Sequence, residues 1–217
     1  MEQRGGPLEN MGLTMAASMP FPTLPDSGRA DTGQPDTELT ALPLPGAFRY
    51  RPHLHEDRRG SFCRLSCAER LNQAGLNSVW VQSNLSRTTG RGTLRGMHFQ
   101  TPPFAEIKLL TCITGRIWDV LVDLRPASPT YLQWIGLVMD GTRADTLYIP
   151  AGIAHGFQTL SEDVTLHYSH SQPFSPDHQA GLSYRDPQIA IEWKLPVTVV
   201  SDRDAALPFL SDIKEAF

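Results

Sequence analysis

Ile107–Asp123 reads IKLLTCITGRIWDVLVD, and this stretch decides the fold. Ile107 to Ile113 is an apolar run broken only by Lys108 and Thr111. Arg116 to Asp123 is a second such run. Gly115, after Thr114, reads as a tight hairpin turn between them. Runs this short, bounded by turn residues, predict strands rather than helices.

The same signature recurs on both sides. Val79–Gln82 is a short apolar run before it, and Tyr131–Val138, Thr146–Ile149, Val164–His170 and Ile189–Trp193 follow it. Pro and Gly punctuate the spaces, from Pro102-Pro103 to Pro187 and Pro196. The one helical candidate is short, Ala68 to Gln73, closed by Gly75. No repeat is present. Many short strands at this spacing predict an all-β sandwich or barrel. Strand alternation also assigns faces. Val164, Leu166, Tyr168 and His170 share one side, so an inward Tyr168 sends His167 the other way.

The chain has 217 residues, a formal net charge of −4 and 40% hydrophobic residues. That suits one domain with a real core and gives no global pull toward nucleic acid or membrane. No run of 18 apolar residues predicts a membrane span. The cysteines, Cys63, Cys67 and Cys112, follow no metal or CxxC spacing, which points to a reduced, cytoplasmic protein. Residues 1–41 read as a disordered tail, rich in Gly, Pro, Ser and Thr, that buries too little to offset its ordering entropy. Residues 42–217 form the domain. A signal peptide fits poorly, because Glu2 and Glu9 precede the weakly apolar Leu13–Met19.

Chemistry concentrates in Arg91–Gln100, RGTLRGMHFQ. Glycines at 92 and 96 let backbone approach closely. Arg91 and Arg95 beside His98 suit an anion and a proton transfer. His155 lies in IPAGIAHGF, a PxGxxH pattern that places an inward histidine in cupin-type barrels. Such barrels often hold a divalent metal through an HxH pair. Here Gln100 stands where the second histidine would be, so a metal is disfavoured. Lys108 in its apolar run either snorkels outward or, turned inward, offers an ammonium to a developing oxyanion. Asp204 reads equally as a solvated carboxylate or a helix cap.

Together these pieces resemble the dTDP-4-dehydrorhamnose 3,5-epimerase family. The matching stretches run in order through Asp57–Gly60, Gln82–Asn84, Leu94–Gln100, Lys108–Leu109, Asp119–Arg125, Ser128–Thr130, Ile149–Phe157 and Asp186–Trp193. The resemblance implies a double-stranded β-helix (cupin or jelly-roll) barrel with a few short helices. It also implies no metal or other cofactor, a nucleotide-sugar substrate and a homodimer that exchanges an N-terminal strand. It places the catalytic base on His98, its carboxylate partner on Asp204, the acid on Tyr168 and the keto-oxygen lysine on Lys108. Substrate contacts fall on Arg59, Gln82, Asn84, Arg95 and His155, with Phe174 stacked on the nucleotide base.

The chemistry is coherent. A 4-keto sugar has acidic hydrogens at C3 and C5, which an imidazole steadied by a carboxylate can remove. Charge then builds on the C4 oxygen, and a phenol on the other face returns the proton. Alternatives are a single-carbon epimerase, a 3,4-ketoisomerase, a metal-dependent cupin and a non-enzymatic sugar-binding barrel. Two departures from the family pattern, Arg64 and Gln179, replace acidic residues where the nucleotide is expected. They bear on which nucleotide and sugar are taken.

Overall fold

The computed structural model describes residues 37–213. β1 (Thr37–Ala41) and β2 (Phe48–Pro52) lead to a small hairpin of β3 (His55–Asp57) and β4 (Gly60–Phe62), then to helix α1 (Ala68–Gln73). The central strands are β5 (Gln82–Thr89), β6 (Leu94–Gln100), β7 (Lys108–Thr114), β8 (Arg116–Asp123) and β9 (Trp134–Asp140). β10 (Thr146–Ile149), β11 (Ile153–Thr159), β12 (Asp163–His170) and β13 (Gln179–Gly181) follow, and α2 (Asp202–Ala205) is a single turn near the end. No helix among the described residues is long and apolar enough to cross a membrane.

Six strands form one sheet in the order β1-β2-β10-β7-β12-β5, and five form a second in the order β13-β6-β11-β8-β9. Inward residues of both sheets make the main core. Leu110, Cys112, Leu147 and Leu166 from the first meet Ile117, Leu121, Met139 and Phe157 from the second, all fully buried or nearly so. This is the all-β sandwich expected from the strand spacing, and its two facing sheets fit the cupin-type architecture that the family resemblance implies.

β8 is buried on both faces. Ile117 and Leu121 face the main core, while Trp118, Val120 and Val122 face a second cluster with Leu182 and Ile189. Two-sided burial is why its sequence is a continuous apolar run rather than an alternating one. The outer face of the first sheet is covered in the same way, where Leu71 of α1 packs with Leu109 and Tyr148.

Thr114-Gly115 is not a hairpin turn. β7 pairs with β10 and β12 in the first sheet, and β8 pairs with β9 and β11 in the second. The turn carries the chain between sheets. Gly115 has φ +76°, and a Cβ there would collide with the Asp163 carbonyl. Sequence spacing shows a sharp corner but not whether its two arms pair.

Other expectations shift for local reasons. Val79 and Val81 are exposed (67% and 57%), and the strand begins only at Gln82. Its sequence QSNLSRTT is polar because part of it faces a cavity, so no apolar alternation marks it. The run at Tyr131–Val138 starts as a strand only at Trp134, because the Ser128 and Thr130 hydroxyls tie the preceding loop to Asp123. Ile189–Trp193 is not a strand; it is an irregular segment packed on the outer face of the second sheet. β1 falls inside the segment read as tail, held by pairing from Thr37–Pro52 to Ala41–Phe48. The remainder of that segment, residues 1–36, lies outside the described residues.

Gly115→Ala should lower the unfolding free energy by about 1–3 kcal/mol, read by denaturant titration, since a side chain there meets backbone in a left-handed conformation.

Candidate active site

β6 and β11 lie side by side with His98 directly opposite His155. They approach closely because Gly96 faces Gly156; a Cβ on Gly96 would sit 2.5 Å from the Gly156 Cα. A register shift between His155 and Phe157 marks the same point. From the opposing sheet, Lys108 shares the inward parity of Leu110 and Cys112, and Tyr168 and His170 share that of Val164 and Leu166. The two walls enclose a cavity of about 280 Å³.

Gln82, Asn84, Arg95, His98, Lys108, His155, Tyr168 and Phe174, all expected from the sequence, line that single cavity. Asp204, on α2 and 106 residues away in sequence, does not line the cavity but backs His98 from behind: its Oδ1 lies 2.8 Å from His98 Nε2. Its Oδ2 accepts the Gly96 N–H at 3.0 Å, and Ser201 Oγ caps the turn by accepting the Asp204 N–H. Burial pushes the Asp204 carboxyl up, but the bonds from His98 and Gly96 outweigh it and hold it below the ordinary carboxylate range. An ionised carboxylate only accepts, so Nε2 holds the proton and a neutral His98 keeps its lone pair on Nδ1. The His98 side chain is 29% exposed, hence reachable from the cavity.

His155 is paired likewise, with Nε2 2.7 Å from Asp119 Oδ2. Burial raises the Asp119 carboxyl despite that bond. The His155 and Tyr168 rings meet edge-on at 6.3 Å. Burial, aided by the Asp119 charge, raises the Tyr168 phenol well above its ordinary value, so it stands as an O–H donor at neutral pH. Lys108 Nζ donates to the His98 carbonyl at 3.3 Å. Arg95 is braced by Nε donating to Thr88 Oγ1 at 2.9 Å. Gln82 Oε1 accepts the Phe174 N–H at 2.9 Å, placing a half-exposed aromatic ring at the mouth.

Arg59 does not join this group. It sits on the β3–β4 hairpin with its side chain 85% exposed and paired to Asp57. Conversely, Glu106 and His170 line the cavity without having been assigned a role from sequence. His170 shares the inward face read for Tyr168, which was the available signal. Glu106 precedes the strand and had none. Gln179 also lines the cavity, whereas Arg64 is exposed and offers its carbonyl to Tyr50 Oη.

The arrangement can remove a proton with a carboxylate-backed imidazole, deliver one from a phenol on the opposing sheet, and stabilise negative charge with an ammonium lining the same cavity.

Comparison with known proteins places the chain among nucleotide-sugar epimerases. Residues 41–212 match the family model described as dTDP-4-dehydrorhamnose 3,5-epimerase. The dTDP-4-dehydrorhamnose 3,5-epimerase of Sinorhizobium fredii is 38% identical, over 77% of this chain and 86% of that protein. A dTDP-4-dehydrorhamnose 3-epimerase of Streptomyces niveus is 35% identical, over 82% and 86% respectively. The crystal structure of the Bacillus anthracis dTDP-4-dehydrorhamnose 3,5-epimerase with TDP and pyrophosphate bound superposes with a TM-score of 0.78 at 36% identity, covering 80% of this chain and 99% of that one.

Asp204 and Glu106 both titrate below the ordinary range in the fold, so their contribution is present above about pH 4 and is lost as pH falls through their lowered values. Unfolding titrations from pH 7 to 3 should show stability falling below about pH 4, with a shallower fall in Asp204→Asn.

Proposed function

The chain belongs to the dTDP-4-dehydrorhamnose 3,5-epimerase family, and from that premise we propose that it inverts C3, C5 or both in a nucleoside-diphosphate 4-keto-6-deoxy sugar. The reaction is of the type that turns dTDP-4-dehydro-6-deoxyglucose into dTDP-4-dehydrorhamnose. The observation behind this reading is the facing of His98, backed by Asp204 at 2.8 Å, and Tyr168 across one cavity.

In this reading His98 removes the proton next to the ketone, and Asp204 holds the imidazole's tautomer and steadies the imidazolium. Lys108 stabilises the C4 enolate oxygen. Tyr168 returns a proton from the other face, which inverts the carbon. His155, locked by Asp119, contacts the sugar, as do Gln82 and Asn84. Arg95 takes the diphosphate, and Phe174 at the mouth stacks on the nucleotide base. A buried site favours this step, because the ammonium acts on the developing charge without competing water. Relatives of both the 3,5- and the 3-epimerase kind match at similar identity, so inversion of C3 alone is the second reading.

We further propose that Arg59 serves the cavity of a second copy in a homodimer. Its exposed hairpin, which does not line its own chain's cavity, supports this.

Wild type incubated with dTDP-4-keto-6-deoxyglucose in D2O should incorporate deuterium at C3 or C5 by NMR, and His98→Ala should abolish it. Tyr168→Phe should slow product formation by about 10²–10⁴-fold while exchange into recovered substrate continues. No exchange by wild type sinks the epimerase reading. For the dimer, mixing separately inactive Arg59→Ala and His98→Ala chains should restore turnover, because a mixed dimer holds one site with both residues intact. If Arg59 served its own chain, mixing would restore nothing.

A further inference from the structure

Glu106 and His170 make a third carboxylate–imidazole pair, on the cavity wall opposite His98. The carboxylate is divided between two donors: Oε1 lies 3.1 Å from Lys108 Nζ, and Oε2 lies 2.8 Å from His170 Nδ1. On its far side His170 Nε2 lies 3.3 Å from Asn84 Nδ2, and its ring stacks on Tyr168 at 5.9 Å and 12°. The side chains of Lys108, Glu106 and His170 are 8%, 9% and 10% exposed.

An ammonium this deep in the wall is costly unless an opposite charge meets it. The groups that face Lys108 are Glu106 beside it, His170 and Tyr168 on β12, His98 and Arg95 on β6, and Asp119 on β8. Only Glu106 among these is a carboxylate in direct contact with Nζ. Burial pushes Glu106 up, yet the bond from His170 and the Lys108 charge hold it below the ordinary range, so it stays ionised. A carboxylate anchored at one oxygen by an imidazole has its other oxygen fixed in direction, and with it the ammonium.

We propose that Glu106 is a positioning residue: braced by His170 and Asn84, it holds the Lys108 ammonium aimed at the sugar's keto oxygen. This rests on the reading of Lys108 as the enolate's partner. It assigns Glu106 and His170 a part in turnover through Lys108, not contact with substrate.

The test is a double-mutant cycle on the full-length enzyme, using Glu106→Gln, Lys108→Met and the double variant. Glu106→Gln should lower kcat about tenfold with KM changed less than about threefold. In the Lys108→Met background the same change should cost nothing further. Unchanged kcat in Glu106→Gln, or penalties that multiply in the double variant, overturn the proposal. A merely structural Glu106 would lower melting temperature and cost the Lys108→Met background as much as it costs the wild type. If circular dichroism shows Glu106→Gln unfolded, His170→Gln cycled against Lys108→Met reads the same coupling: a penalty absent in the Met background supports the proposal, and multiplied penalties overturn it. Absence of deuterium uptake by wild type would instead overturn the epimerase reading itself.

Discussion

Charge sunk into an apolar sandwich must be matched by opposite charge or by hydrogen bonds, or the fold loses more by desolvation than it gains by contact. Around the cavity this constraint is met by three carboxylate–imidazole pairs: His98 with Asp204, His155 with Asp119 and His170 with Glu106. Each bond is 2.7–2.8 Å long. The pairs differ in what else the carboxylate touches. Asp204 also takes a backbone N–H from Gly96, and Glu106 also takes Lys108. Asp119 is the most deeply buried and alone among the three titrates above the ordinary carboxylate range. One kind of pair thus yields three electrostatic settings inside one pocket.

The sheets set where these groups stand. Two facing walls are needed to approach a planar enolate from both sides, and a sandwich supplies them through its pleat. His98 and His155 come from adjacent strands of one sheet, and Tyr168, His170 and Lys108 from neighbouring strands of the other. The inter-sheet turn at Gly115 is therefore central to the site as well as to the fold. It sends β7, with Lys108, into one wall and β8, with Asp119, into the other.

The order of strands was readable to the extent that burial leaves a pattern. β8, β10 and β12 were legible because apolar residues fill or alternate along them. β5 was not, because a strand lining a polar cavity lacks that alternation. Ile189–Trp193 looks like a strand because it is apolar, yet it satisfies its apolar side chains by covering the back of the second sheet without joining a ladder. Among cavity residues, those carried by a family resemblance were named at once; His170 shared the face read for Tyr168 without a role, and Glu106, which matches no pattern, became visible only through its distances to His170 and Lys108.

The amino-acid sequence by itself determined the all-β class, the short helix at Ala68–Gln73 and the residue types able to move a proton, since these follow from local periodicity and from side-chain chemistry. Tertiary structure alone decided that Thr114-Gly115 joins two sheets, that Asp204 meets His98, and that Arg59 stands away from the cavity of its own chain. The reason is range: periodicity reports on neighbours a few residues apart, whereas pairing across about a hundred residues depends on which strands share a sheet and which way each pleat faces.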